Sequence, residues 1–342
     1  DRVAYGREEA KLLEMRLKQE YSKPTNAPEA RITIQQLFEE CKEAKSHQVR
    51  TTTLEKFIWN VERSILPSFA NSKIDRLSSK SLQKWKNDTS DLPLSINTKR
   101  GYYKAFHTLL NYAVKMEYLP RNPLNSIGNF TEIYFEQPQD KLRYYTADQF
   151  KTYIAVAKSQ ACTLTDWGYY IFFNIAFYTG MRKGEINALR WTDIDGEILH
   201  VRRSITQKIK GGDIETPPKN RSSYRDLQMP LPLIHILEEH KARQQQDKRW
   251  KSSYRICGGP QCLRDSSISN RNRAFAAAAG LPHIRVHDFR HSHASLLVNE
   301  GINIQEIARR LGHADIKMTW NTYSHLYPSE EERAVQILNK IV

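Results

Sequence analysis

The strongest constraint on this chain is a helical rhythm running from residue 31 to about 118, cut off by Pro120-Arg-Asn-Pro123. Apolar residues recur at spacings of three and four along it. Leu37, Phe38 and Cys41 follow a Thr33 cap, and Leu82 and Trp85 follow a Ser78 cap. Leu54, Phe57, Ile58 and Val61 form a third set, and Phe106, Leu109, Leu110, Ala113 and Val114 a fourth. Residues so spaced share one helix face, and such a face must bury itself against another. About four helices of this kind predict a small bundle over 31–125. Ahead of it, residues 1–22 read as a charged helix with Ala10, Leu12, Leu13, Met15 and Leu17, and the prolines of 22–28 mark a linker, so 1–30 stands apart.

Beyond Pro123 periodicity fades, and 126–141, with Gln137-Pro-Gln-Asp, is expected to connect two domains. A length of 342 residues agrees, since single cores stop growing before that. The box Thr146-x-x-Gln149 opens the second domain, 142–342, which reads as helices with a short strand insert. There Glu197 to Thr206 predicts a strand, Gly211-Gly212 a turn, and Tyr224 to Met229 the returning strand. The expected class is mainly α with a small antiparallel β-sheet.

Charge narrows the partners. Lys and Arg number 52 against 38 Asp and Glu, a formal net charge of +14, which favours a polyanion: nucleic acid first, an anionic membrane second. No run approaches the roughly 18 apolar residues of a spanning helix, and the charged N-terminus is unlike a signal peptide. Four cysteines make no disulfide scaffold in so long a chain, so a reducing cytoplasm is expected. Cys257 and Cys262 invite a zinc reading, but Cys41 and Cys162 do not form the second tight pair that four-ligand zinc needs. On the bundle, Lys99, Arg100, Lys104 and Lys115 suit either a solvated face or phosphate contact.

Four stretches carry the chemistry. Arg182 lies where an apolar helix breaks at Gly180, in Phe177-Tyr-Thr-Gly-Met-Arg182-Lys-Gly-Glu185. Lys219 lies between the turn and the returning strand, with Arg221 close by. His287 and Arg290 stand three apart in His287-Asp-Phe-Arg290, one helix face, and His313 precedes Tyr323 by ten residues. A phosphodiester under attack gathers charge on its non-bridging oxygens. Arginine forks match those oxygens and keep their charge, so two arginines with one or two histidines can replace metal ions as a clamp. A tyrosine hydroxyl is a weak nucleophile at its ordinary pKa of about 10 and needs cations nearby. Attack by Tyr323 would store the bond as a phosphotyrosine, so religation needs no ATP. Lys219 can protonate the leaving 5′ oxygen; Arg221 cannot, because its pKa is too high.

These segments together resemble the catalytic domain of the tyrosine recombinases, the phage-integrase family. The marks are YTGMRKGE, the lysine-bearing hairpin, HDFRHSHAS, LGHADIKMT and NTYSHL, with LRWTDID and AAAAGLPHIRVHDFRH outside the motifs. The resemblance implies six active-site roles, on Arg182, Lys219, His287, Arg290, His313 and Tyr323. It further implies a 3′-phosphotyrosine intermediate formed without metal or other cofactor, in integration or excision of a mobile element in a bacterial cytoplasm. The bundle resembles the family's core-binding domain, and the two domains are expected to close on duplex DNA like a clamp. Lys99, Arg100, Lys104 and Arg221 are then the candidate DNA contacts. A homotetramer on its attachment site is implied, with accessory DNA-bending proteins as further partners. The tail helix capped by Ser329, with its stripe of Ala334, Ile337, Leu338 and Ile341, is expected to pass to a neighbouring subunit. The hairpin departs from the pattern, with Lys219-Asn-Arg221 where relatives often have Lys-Thr-Lys. Many relatives also carry an arm-binding domain, which residues 1–22 are expected to follow.

Two rivals are weighed. His287-Asp-Phe-Arg-His291 superficially resembles the HExxH of zinc hydrolases, but Asp replaces the Glu base and no third ligand stands out. Asn303 caps a helix with Ile304, Ile307 and Leu311, broken at Gly312 before another begins near Asp315, which suits a helix-turn-helix regulator without chemistry. Such a regulator explains the charge but not the tyrosine with its two arginines.

Overall fold

The Thr33 hydroxyl accepts the Gln36 amide at 3.2 Å while the Gln36 side chain accepts the Thr33 amide at 2.8 Å. That reciprocal cap starts α1 (Ile34–Ser46) and turns Leu37, Phe38 and Cys41 inward. The structure is a computed structural model that describes residues 32–131, 142–207, 212–218 and 221–327, with positions 335, 338 and 339. Two compact units divide the chain, Asp1–Gln137 and Pro138–Val342.

In the first unit α1 packs with α2 (Thr51–Ser64), α3 (Ser79–Ser90) and α4 (Ile96–Lys115) around one core. Each Leu or Phe fully buried there contributes roughly 1.5–3 kcal/mol relative to exposure. Ser78 caps α3 by accepting the Ser81 amide, and the Trp85 indole donates to the Ser64 carbonyl at 2.8 Å. The packing continues past Pro123, through Leu124 at the end of the expected bundle and on to Phe130 in the stretch expected to connect domains. Leu124 and Phe130 are buried, Phe130 lies edge-on to Trp85, and Lys86 sits over its ring. Aromatic burial, which periodicity does not register, extends the bundle.

The second unit is arranged around a helix buried on every side. The Thr146–Gln149 box opens α5 (Ala147–Ser159), and Thr163 caps α6 (Leu164–Thr179). From Trp167 to Phe177 every residue of α6 is buried, as a helix packed on all faces requires. After α6 comes the short α7 (Lys183–Ala188), then β1 (Ile194–Asp195), β2 (Ile198–Val201), β3 (Ser204–Thr206), β4 (Ile214–Thr216) and β5 (Arg225–Gln228). The unit is completed by α8 (Leu231–Gln244), α9 (Asp265–Ala278), α10 (Asp288–Asn299), α11 (Ile304–Leu311) and α12 (Ile316–Tyr323). Helices α5, α7, α8 and α10 all contact α6.

The strand insert differs from the single hairpin expected. Glu197 to Thr206 is broken at Arg202-Arg203, and the two halves choose different partners. β2 pairs antiparallel with β1 and β5, with Leu199 opposite Leu227, while β3 pairs with β4, with Ile205 opposite Glu215. The break follows from charge. Arg202 turns to the Arg225 carbonyl and Asp226, whereas Arg203 turns to Asp193 and Glu215. Glu215 also pairs with Arg190 and Arg255, each at 3.0 Å, which ties β4 to the body of the unit.

Candidate active site

Gly180 ends α6 in the left-handed conformation, φ 63°, and delivers the chain to Arg182. A Cβ at Gly180 would lie 2.7 Å from His293 and 2.9 Å from Leu311, so the approach of three segments depends on its absence. Arg182 is the N-cap of α7. Glu185, one turn on, accepts its amide at 3.0 Å and its guanidinium at 2.9 Å. The same carboxylate accepts Arg225 of β5 at 2.9 Å, an ion pair with both side chains 4% exposed. Burial pushes the Glu185 carboxyl up, but the Arg225 and Arg182 charges outweigh it and hold the group below its ordinary range. Arg225 in turn donates to the Arg310 carbonyl at 2.7 Å.

Arg290, on α10, is buried. It donates to the Gly180 carbonyl at 2.8 Å and to the Leu311 carbonyl at 2.6 Å. Arg182 reaches the adjacent Gly312 carbonyl at 3.4 Å. Two guanidiniums from distant parts of the chain therefore rest on consecutive carbonyls of one turn, immediately before His313. Burial, then the neighbouring charge of Arg182, lower Arg290 to about 9, which still leaves it a cation at neutral pH. Among the described residues no carboxylate lies within ion-pair distance of Arg290, and the Glu185 charge supports it from further off.

His313 and Tyr323 come from α12 and the turn before it. The His313 Nδ1 lies 2.7 Å from the Thr319 hydroxyl, an arrangement that leaves Nε2 to donate outward when Thr319 is the donor. Burial and the charges of Arg290 and Arg182 lower His313 to about 4, and burial with Arg290 lowers His287 too. Burial and the neighbouring guanidiniums thus disfavour the cationic form of both rings. Tyr323 is 2% exposed. Burial pushes its hydroxyl up to about 12 against the pull of Arg290, and the hydroxyl meets His291 Nδ1 at 2.7 Å.

Arg182, His287, Arg290, His313 and Tyr323 are thus brought together in the second unit. Lys219 lies outside the described residues. Arg221 is exposed in the turn Arg221–Ser223. On α4, Lys99 donates to the Ser90 carbonyl at 2.7 Å and Arg100 to the Phe130 carbonyl at 3.1 Å, while Lys104 is exposed. The pair α11–α12 does have a helix-turn-helix outline, with Gly312 left-handed at φ 67°. Its turn faces inward, though, and receives both arginines, so it builds the site rather than reading a groove. Sequence reasoning gave no role to Glu185, Arg225 and Thr319, and weighed His291 only as a zinc ligand. Glu185 was visible as the reciprocal partner three residues after Arg182, and His291 as a fourth-residue neighbour of His287 on one face. Arg225 and Thr319 carried no signal of their own. Cys257 is buried and Cys262 donates to Asp213 at 2.8 Å. Among the described residues no three His, Cys, Asp or Glu are grouped to hold a metal.

Comparison with known proteins bears on the family and the fold. The profile of the phage integrase family matches residues 143–330, and that of the phage integrase SAM-like domain matches 31–133. The chain is 25% identical to the ICEBs1 integrase of Bacillus subtilis, over 99% of this chain and 92% of the relative. It is 28% identical to a XerC-like tyrosine recombinase of Caldanaerobacter subterraneus, over 79% of this chain and 72% of the relative. The fold matches the Tn1549 transposon integrase in complex with a circular intermediate DNA, with a TM-score of 0.69 at 15% identity, covering 90% of this chain and 99% of that one. It also matches lambda integrase, solved as a tetramer bound to a Holliday junction, with a TM-score of 0.63 at 15% identity over 96% and 90% of the two chains. Paired arginines, imidazoles and a tyrosine around one turn, on this fold, with a family profile spanning more than half its length, place the chain in the phage integrase family, the tyrosine recombinases.

Proposed function

We propose that the chain cuts and rejoins duplex DNA at specific sites through a 3′-phosphotyrosine on Tyr323, in the integration or excision of a mobile element. The observation that carries the reading is the shared seat of Arg182 and Arg290 on the Gly312 and Leu311 carbonyls, beside His313. Forks fixed in this way need no reorganisation when charge develops on the scissile phosphate. His287 and His313 add hydrogen bonds to the same oxygens. Lys219 protonates the departing 5′ oxygen. Lys99, Arg100, Lys104 and Arg221 contact backbone phosphates, so binding weakens with salt as counterions return.

Four active sites are needed to exchange strands between two duplexes, which makes the working species a homotetramer on DNA, with accessory DNA-bending proteins as further partners. The tail passes to a neighbour in this reading. Leu338 is 61% exposed on its own subunit, and Ile316, Met318 and Trp320 of α12 are exposed too. Ala334, Ile337, Ile341 and Ser329 lie outside the described residues. No helix among the described residues is long and apolar enough to cross a membrane, and we assign the work to a bacterial cytoplasm.

A nicked suicide duplex is expected to trap an adduct that survives SDS, in EDTA, and Tyr323→Phe to abolish it while duplex binding persists. An adduct that requires a divalent metal would contradict the arginine clamp. Lys219→Ala is expected to slow cleavage, and a bridging 5′ thiol, whose departure needs no proton, to restore most of the rate. Absence of that rescue would remove Lys219 from its role.

A further inference from the structure

The nucleophile must lose a proton, and Arg182 and Arg290, charged donors both, cannot take it. Tyr323 is buried between α10 and the end of α12, with its hydroxyl 2.7 Å from Nδ1 of His291. His291 follows Arg290 directly and lies one turn beyond His287, so the helix that holds half the phosphate clamp also holds this ring against the nucleophile. We propose that His291 is the general base of strand cleavage, with Nδ1 taking the phenolic proton as the Tyr323 oxygen attacks phosphorus. This rests on the phosphotyrosine reading above.

An Nδ1 that accepts from a phenol must carry its own proton on Nε2. That nitrogen lies 4.0 Å from Oδ1 of Asp288, a carboxylate shielded from water and gripped by Arg285 at 2.8 Å. Negative charge thus lies on the N–H side of the ring, beyond hydrogen-bond distance and shared with Arg285, and favours the imidazolium as it forms. Burial and the charges of His287, Arg285 and Arg290, opposed by Asp288, lower the ring to about 4, so its lone pair is open at neutral pH. Of the two other site histidines, His313 spends Nδ1 on Thr319, and among the described residues it is His291, not His287, that is hydrogen-bonded to the Tyr323 hydroxyl.

With the phenol near 12, the proton does not move ahead of attack. It moves as the O–P bond forms, because that bond strips the phenolic oxygen of basicity. The balance closes. The Tyr323 O–P bond forms, its O–H bond breaks toward His291, the P–O5′ bond breaks, and the leaving oxygen takes a proton from Lys219. In religation the 5′ hydroxyl attacks, the O–P bond of phosphotyrosine breaks, and His291 returns its proton to Tyr323.

The test uses the full chain on a nicked suicide duplex, with single-turnover adduct rates, thermal melting and duplex binding measured together. His291→Asn keeps an oxygen able to accept the hydrogen bond but unable to take the proton; His291→Gln replaces it should the first variant melt early. Cleavage is expected to fall by about 10²–10³-fold with binding unchanged. Installing a fluorinated tyrosine at position 323, a more acidic phenol, is expected to recover most of that loss. Cleavage by His291→Asn within about threefold of the unmodified chain, or faster than it, overturns the base, as does a defect that the fluorinated phenol leaves unchanged. An unmodified chain that forms no adduct removes this inference together with the phosphotyrosine reading, whereas an active parent with an undiminished variant removes the base alone.

Discussion

Glu185 is nearly sealed from water, yet it serves two guanidiniums, Arg182 at the mouth of the site and Arg225 behind it. The pairing does two jobs. It fixes the Arg182 fork, proposed above to meet the phosphate, and it cancels part of the positive charge that would otherwise push Arg182 and Arg290 apart. Breaking a buried pair by removing one member strands the other, typically at a cost of about 3–5 kcal/mol. Glu185→Ala is therefore expected to lower the unfolding free energy by that order, read as a lower denaturant midpoint, and to abolish adduct formation. Glu185→Gln, which keeps the shape and loses the charge, should fold better and still cleave slowly. Equal stability of Glu185→Ala and the parent in urea melts would show that Arg225 finds compensation elsewhere.

At the scale of elements, the second unit holds buried or half-buried histidines whose protonation the fold resists. His291 and His313 sit at about 4, His293 at about 3 and His240 at about 4, against an ordinary 6.5, with burial the main cause in each. Their folded pKa values lie below the unfolded ones, so between about 4 and 6.5 the unfolded chain binds more protons. Stability is then fully present above pH 6.5 and is lost as pH falls through this window. The melting temperature is expected to drop steadily from pH 7 to 4, ahead of carboxylate titration; a flat profile to pH 4.5 would contradict it. Of these elements the helices were legible, because caps such as Thr33 and Thr146 and spacings such as Leu109–Ala113 are local signals. The strand insert was legible only as strand. Which half pairs with which is decided by Arg202 and Arg203 reaching carboxylates 24 and 10 residues away, which no local pattern encodes. The residues proposed for the clamp stood out in the sequence because each sits in a motif of its own. The His291 contact did not, since a bond across 32 residues depends on how α10 and α12 pack.

For the whole molecule, the described core divides between the units, one set around Phe38 and Phe106, the other around Phe173 and Phe289. Separate cores predict separable unfolding. Phe38→Ala and Phe173→Ala should each cost about 3–5 kcal/mol, and calorimetry should show each moving a different transition. A single transition shifted equally by both would mean the units melt as one. Within the second unit, the Leu311–Gly312 turn has a broader consequence. Since it seats both guanidiniums and leads into His313 and the helix of Tyr323, any shift of this turn unseats every one of them in the same motion. On the phosphotyrosine reading proposed above, competence would then be all or nothing: a chain whose turn is out of place would leave its DNA whole.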